Sequence, residues 1–151
     1  MSNNTSLAIL DVYSALRREI GLMVSFELNQ YNMGRNQMMI VIHLDEHEAA
    51  TLSEISEITM SDPASTTRTI SSMEKAGWIK RTANPHDQRQ SMVSLTAKGR
   101  KQAVIARKVR KDLAVKVNQT LSKEEGIIVH KLIAKMIEGL QKDRALNGIE
   151  K

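Results

Sequence analysis

The chain contains no cysteine. That excludes disulfides, thiolate zinc sites and thiol redox switches. Proline occurs only at Pro63 and Pro85, so little interrupts helices. Aromatic residues make up 3% of the chain against nine methionines, which implies an adaptable aliphatic and thioether core. The longest apolar run, Met38 to Ile42, is far too short to span a membrane. The start, Met1-Ser2-Asn3-Asn4-Thr5-Ser6, has no basic segment leading into an apolar one, so no secretory signal is read there. There is no Gly-rich phosphate loop and no nucleophile elbow. These absences predict a soluble, cytoplasmic protein with no membrane partner and no cofactor.

What is present is length, helix periodicity and positive charge. The 151 residues suit one domain with a real core. Net charge is +5, which favours polyanions and speeds encounter with them. Much of that charge sits in one segment. Lys98, Arg100, Lys101, Arg107, Lys108, Arg110, Lys111 and Lys116 face only Asp112.

Periodicity of 3.6 residues predicts helix over most of the chain. A first helix runs from about Ser6 to Asn29, with Leu10, Tyr13, Leu16, Ile20, Met23 and Phe26 at helical spacing. A second runs from about Asn36 to Glu48, where Met39, Ile40, Ile42, His43 and Leu44 predict deep burial. Thr51-Leu52-Ser53-Glu54 is a capping box that opens a short third helix ending near Ile58. Asp62 caps a fourth, with Pro63 at its first position, and Gly77 closes it. The break from Thr59 to Asp62 has the spacing of a helix-turn-helix.

A strand over Trp78 to Thr82 and a partner over Met92 to Leu95 then predict a β-hairpin. Between them lies Asn84-Pro85-His86-Asp87-Gln88-Arg89. An arginine on the tip of such a hairpin can enter a DNA groove, and an acid two residues away can hold it. Thr96 caps a fifth helix reaching about Val117, roughly 30 Å long at 1.5 Å per residue. Ser122-Lys123-Glu124-Glu125 opens a sixth with Ile128, Leu132, Ile133, Met136, Ile137 and Leu140. Helices one, five and six carry more apolar surface than a small winged lobe needs. They are expected to pack together and against a second subunit, most simply as a C2 homodimer.

This order of elements resembles the MarR family of bacterial transcriptional regulators. The strongest likeness runs from Leu52 to Gly99. It includes Thr67-Arg68, the run Met73-Glu74-Lys75-Ala76-Gly77-Trp78-Ile79-Lys80-Arg81, the Asp87-x-Arg89 pair, and Val93-Ser94-Leu95-Thr96-Ala97-Lys98-Gly99. Asp-x-Arg followed by Val-x-Leu-Thr-x-x-Gly is fairly specific when it follows a helix-turn-helix. The flanking helices match in pattern only. Two departures stand out: the turn Thr59-Met60-Ser61 lacks the usual glycine, and Met33-Gly34-Arg35 replaces the common Leu-Thr pair.

The resemblance implies a mainly α winged helix-turn-helix, with a lobe over about residues 33–97 and dimerisation helices over about 6–30 and 98–146. It implies double-stranded DNA as partner, read by a homodimer on a pseudo-palindromic operator whose half-sites lie roughly 34–36 Å apart. It implies a repressor more often than an activator, loosened by a small aromatic or anionic effector. In the fourth helix, Thr66, Ile70 and Met73 form the inward face, leaving Ser65, Arg68 and Ser72 outward, flanked by Ser61 and Thr67. Arg68 suits a bidentate contact to guanine. Arg89 suits a narrow minor groove, with Asp87 setting its orientation by resemblance. Lys80, Arg81 and His86 are expected phosphate contacts, as is the third-helix start near Ser53.

One reading belongs to another class. His43-Leu44-Asp45-Glu46-His47 matches the H-x-x-E-H pattern of inverted zinc peptidases, with two histidines to share a metal and Glu46 as base. Those enzymes are much larger. The alternative function is therefore a small zinc hydrolase, or a regulatory metal on His43 or His47. A DNA binder without effector response is the other.

Overall fold

The computed structural model describes residues 3–84 and 91–149. Its contacts divide the chain into two units, Met1–Leu113 and Ala114–Lys151. The first unit holds α1 (Asn3–Asn29), α2 (Arg35–His47), β1 (Ala49–Thr51), α3 (Leu52–Thr59), α4 (Pro63–Lys75), β2 (Ile79–Ala83), β3 (Ser91–Leu95) and most of α5 (Ala97–Asn118). The second holds the end of α5 and all of α6 (Lys123–Leu146).

The mainly helical fold with a small sheet agrees with the sequence reading. The sheet has one strand more than expected. Its order is β1-β3-β2, all antiparallel, with Ala50 and Arg81 opposite Val93 on either side. Three residues rich in alanine carry no strand signal of their own. Only β3, brought back by the chain, makes Ala49–Thr51 a strand.

The core of the first unit lies under this sheet. Ile40, Val41 and Leu44 of α2, Ile55 of α3, Ile70 and Met73 of α4, and Val93 and Leu95 of β3 are all buried. Ala103, Ala106, Val109 and Leu113 of α5 are also buried. Met39 and His43, expected to be deep, are only half-buried. In α1 the burial falls on Val24 and Leu28, whereas Leu10, Leu16, Met23 and Phe26 of the predicted stripe are exposed. Val104 of α5 is exposed as well. In the second unit, α6 buries none of its side chains.

The turn without glycine places Met60 in the left-handed region at φ 51°, ψ 38°, with its side chain 94% exposed. An L-residue with a Cβ costs roughly 1–2 kcal/mol there, whereas glycine does not. Met60→Gly is therefore expected to raise stability by about 1 kcal/mol after its greater unfolded-state entropy is counted. The midpoint of urea unfolding checks this; an unchanged or lower midpoint would show that the turn carries no relievable strain.

Candidate nucleic-acid interface

The reading lobe is set by two N-caps. The Thr51 amide donates to Glu54 at 2.6 Å, and the Glu54 amide donates back to the Thr51 hydroxyl at 3.2 Å. The Thr51 backbone bond, then its side chain, holds the Glu54 carboxyl below the ordinary carboxylate range. Asp62 accepts from the Ser65 amide at 2.8 Å, with Pro63 at the start of α4. Ser65, through its hydroxyl and its amide, likewise holds Asp62 low. Both carboxylates stay ionised at neutral pH and keep the two helix starts fixed.

Between these caps, α3 and α4 are locked together. Thr66 is 2% exposed, and its hydroxyl is satisfied by Ser56 at 2.9 Å. With Thr66, Ile70 and Met73 turned inward, Arg68, Ser72 and Thr67 are left in solvent, and Ser65 is half-exposed. Arg68 donates to the Ser65 hydroxyl at 2.9 Å, which lays its guanidinium along the outer face. The Thr67 hydroxyl donates to the Pro63 carbonyl at 2.8 Å. Ser53 is exposed in the first turn of α3.

Ser61 has a task inside the fold. Its hydroxyl accepts from Asn36 of α2 at 3.0 Å, tying the start of α2 to the turn. Arg81 also faces inward. It lies 3.1 Å from the Glu74 carboxylate, a charge contact without hydrogen-bond alignment, and donates to the Ser71 hydroxyl at 3.1 Å. It thus braces β2 against α4, a role the sequence did not suggest. Lys80 is exposed on β2. His86, Asp87 and Arg89 lie outside the described residues.

The wing is anchored at its base by α5. The Thr96 hydroxyl donates to the Gly77 carbonyl at 2.7 Å and accepts from the Gly99 amide at 3.0 Å. Lys98 caps the end of α4 through the Ala76 carbonyl at 2.8 Å. Other members of the basic run have internal partners as well. Arg107 pairs with Asp45 of α2, and Lys108 pairs with Asp112 at 3.2 Å.

Two hollows flank these parts. An open cleft of about 530 Å³ lies between the start of α2 (residues 34–37) and Arg68, Thr69 and Ser72 of α4. Arg35 and Asn36, which the sequence reading did not single out, stand in it. A smaller cavity of about 280 Å³ is lined by Met38, Met39, Ile42, His43 and Glu46 of α2, with Ile58 and Arg110. The His43 and His47 rings lie 4.4 Å apart. Among the described residues, no group of three or more His, Cys, Asp or Glu side chains is arranged to hold a metal.

Comparison with known proteins meets the same lobe. Residues 34–91 match the model of the MarR family. The HTH-type transcriptional regulator BilQ of Clostridioides difficile (strain CD3) is 32% identical over 72 residues. That match spans 48% of this chain and about half the length of BilQ, at 49%. Among solved structures, a mutant MarR from E. coli complexed with operator DNA superposes with a TM-score of 0.75 at 20% identity, covering 88% of this chain and 96% of that one. A MarR transcriptional regulator from Methanosarcina mazei Go1 gives 0.75 at 21% identity, again covering 88% and 96%. The YusO protein from Bacillus subtilis gives 0.66 at 22% identity, covering 91% and 99%. The caps, the turn, the helix they set and the sheet described above are therefore those of a known winged helix-turn-helix architecture, and residues 34–91 carry this chain's match to the MarR family.

Proposed function

We propose that this chain is a sequence-specific DNA-binding transcriptional regulator that acts as a homodimer on a pseudo-palindromic operator, as a repressor. The observation that carries the reading is the division of α4. One face is buried to the last atom at Ile70 and Met73, and the other presents Arg68, Ser72 and Thr67 to solvent. A helix so divided, capped at its N-terminus and backed by a wing, suits the major groove. The solved E. coli relative with operator DNA supports this use of the fold.

The exposed apolar faces of α1 and α6 support a second copy as partner. The methionine-lined cavity supports a small effector. Met38, Met39 and Ile42 suit an apolar or aromatic body, and Arg110 and His43 suit an anionic group. An occupant there touches α2, α3 and α5 at once, so it bears on the angle at which α4 is presented.

The test is fluorescence-anisotropy binding to the duplex upstream of the chain's own coding region and to a scrambled duplex. Arg68→Ala is expected to weaken binding to the selected duplex by roughly 1–3 kcal/mol and to relax preference at one base position. Wild-type protein that binds neither duplex at low salt would overturn the reading.

A further inference from the structure

We propose that the cleft between the start of α2 and the outer face of α4 seats a backbone phosphate of the bound DNA, with Arg35 as its cation. This rests on the DNA-reading function proposed above and adds a contact outside the helix-turn-helix and wing. The chemistry of the lining carries it. Two guanidiniums, Arg35 and Arg68, share the cleft with the Asn36 and Gln37 amides and the Thr69 and Ser72 hydroxyls. Among the described residues, no carboxylate and no large apolar side chain lines it. Such a wall repels cations, and Arg35, Arg68, the Gln37 amide and the Ser72 hydroxyl can donate to an anion there, while the Thr69 hydroxyl already donates to the Ser65 carbonyl at 3.0 Å.

Arg35 is the side chain free to act. It is exposed and, among the described residues, has no hydrogen-bond or ion-pair partner. Arg107 and Arg81, by contrast, are paired with acids. The seat is also held in register with the reading helix. Asn36 donates to Ser61, just before the Asp62 cap of α4, which ties the start of α2 to the start of α4. Gly34 donates to Gln37 at 2.8 Å, which turns the chain into α2 and fixes where Arg35 leaves it. The partial positive charge of the helix start adds to that of Arg35. Arg68 at one side of the cleft addresses base edges, so a phosphate in the cleft belongs to the strand bordering the same groove.

The experiment measures the slope of log K against log salt concentration for wild type, Arg35→Ala and Arg35→Lys, on the selected and the scrambled duplex. One lost phosphate contact is expected to lower the slope by about 0.9, which at 0.1 M salt corresponds to roughly eightfold weaker binding. The loss is expected to be equal on both duplexes, because phosphate carries no sequence. Arg35→Lys is expected to keep most of the slope. Circular dichroism and unfolding curves matching wild type are expected, since Arg35 has no hydrogen bond or ion pair among the described residues. If wild type binds DNA and Arg35→Ala leaves the slope unchanged, the phosphate seat is wrong while the regulator reading stands. If wild type does not bind at all, both fall. A titration of the DNA-free protein with inorganic phosphate, followed by amide shifts of residues 34–37, separates the sources. Saturable shifts together with an unchanged salt slope would mean a site for small free anions, and would overturn the proposal.

Discussion

Gly99→Ala is expected to destabilise the winged lobe by about 3 kcal/mol, at or beyond the upper end of ordinary overpacking. A Cβ at residue 99 would stand 1.9 Å from the Trp78 carbonyl oxygen and 2.9 Å from its carbon. Both are backbone atoms, so no side-chain rotation relieves the clash. The carbonyl cannot withdraw without loss, because it accepts from the Thr96 amide at 3.0 Å. The Gly99 amide is itself held by Thr96. Moving α5 away would strip the core of Ala103 and Ala106, both fully buried. Trp78 is the only tryptophan and is buried, so its fluorescence during urea unfolding reports this joint directly. A variant within half a kcal/mol of wild type would show that α5 and the wing base are looser than their geometry.

If the proposed homodimer forms through α6, Ile128→Glu combined with Leu132→Glu is expected to convert it to a monomer and to weaken binding to the selected duplex by ~10²–10⁴-fold. These side chains lie four residues apart on one face of α6 and are 56% and 54% exposed in the single chain. Because α6 buries nothing within the chain, the change leaves the winged lobe intact. Two carboxylates on a face proposed to meet another apolar face oppose association. A monomer then holds one half-site without the high effective concentration that the second supplies. Sedimentation and anisotropy on a full and a half operator check the two parts. A variant that stays dimeric and binds normally would remove α6 from the interface and leave the exposed face of α1 to explain.

The local signals were legible because they depend on neighbours in sequence. The two capping boxes, Asp62-Pro63, Gly77 and Thr96 fix helix ends through bonds that span three or four residues, and each appears at the expected position. The inward spacing of Thr66, Ile70 and Met73 fixed the outward one of Arg68 and Ser72 by the helix period alone. The alternation Val93, Ser94, Leu95 did the same for β3.

The sequence by itself determined the helix boundaries, the divided face of α4 and the family signature from Leu52 to Gly99, since each is written in spacing and caps. Only the tertiary structure decided the rest. It made Ala49–Thr51 a strand by laying β3 beside it. It turned Arg81 inward to Glu74 and Ser71, a contact that depends on where β2 crosses α4. It paired Arg107 with Asp45, withdrawing one charge from a run that reads as uniformly free. It also brought Arg35 into the cleft that holds Arg68, two residues separated by a helix, a strand and a turn. Periodicity reports which way a side chain points, but its partner is set by how the elements pack.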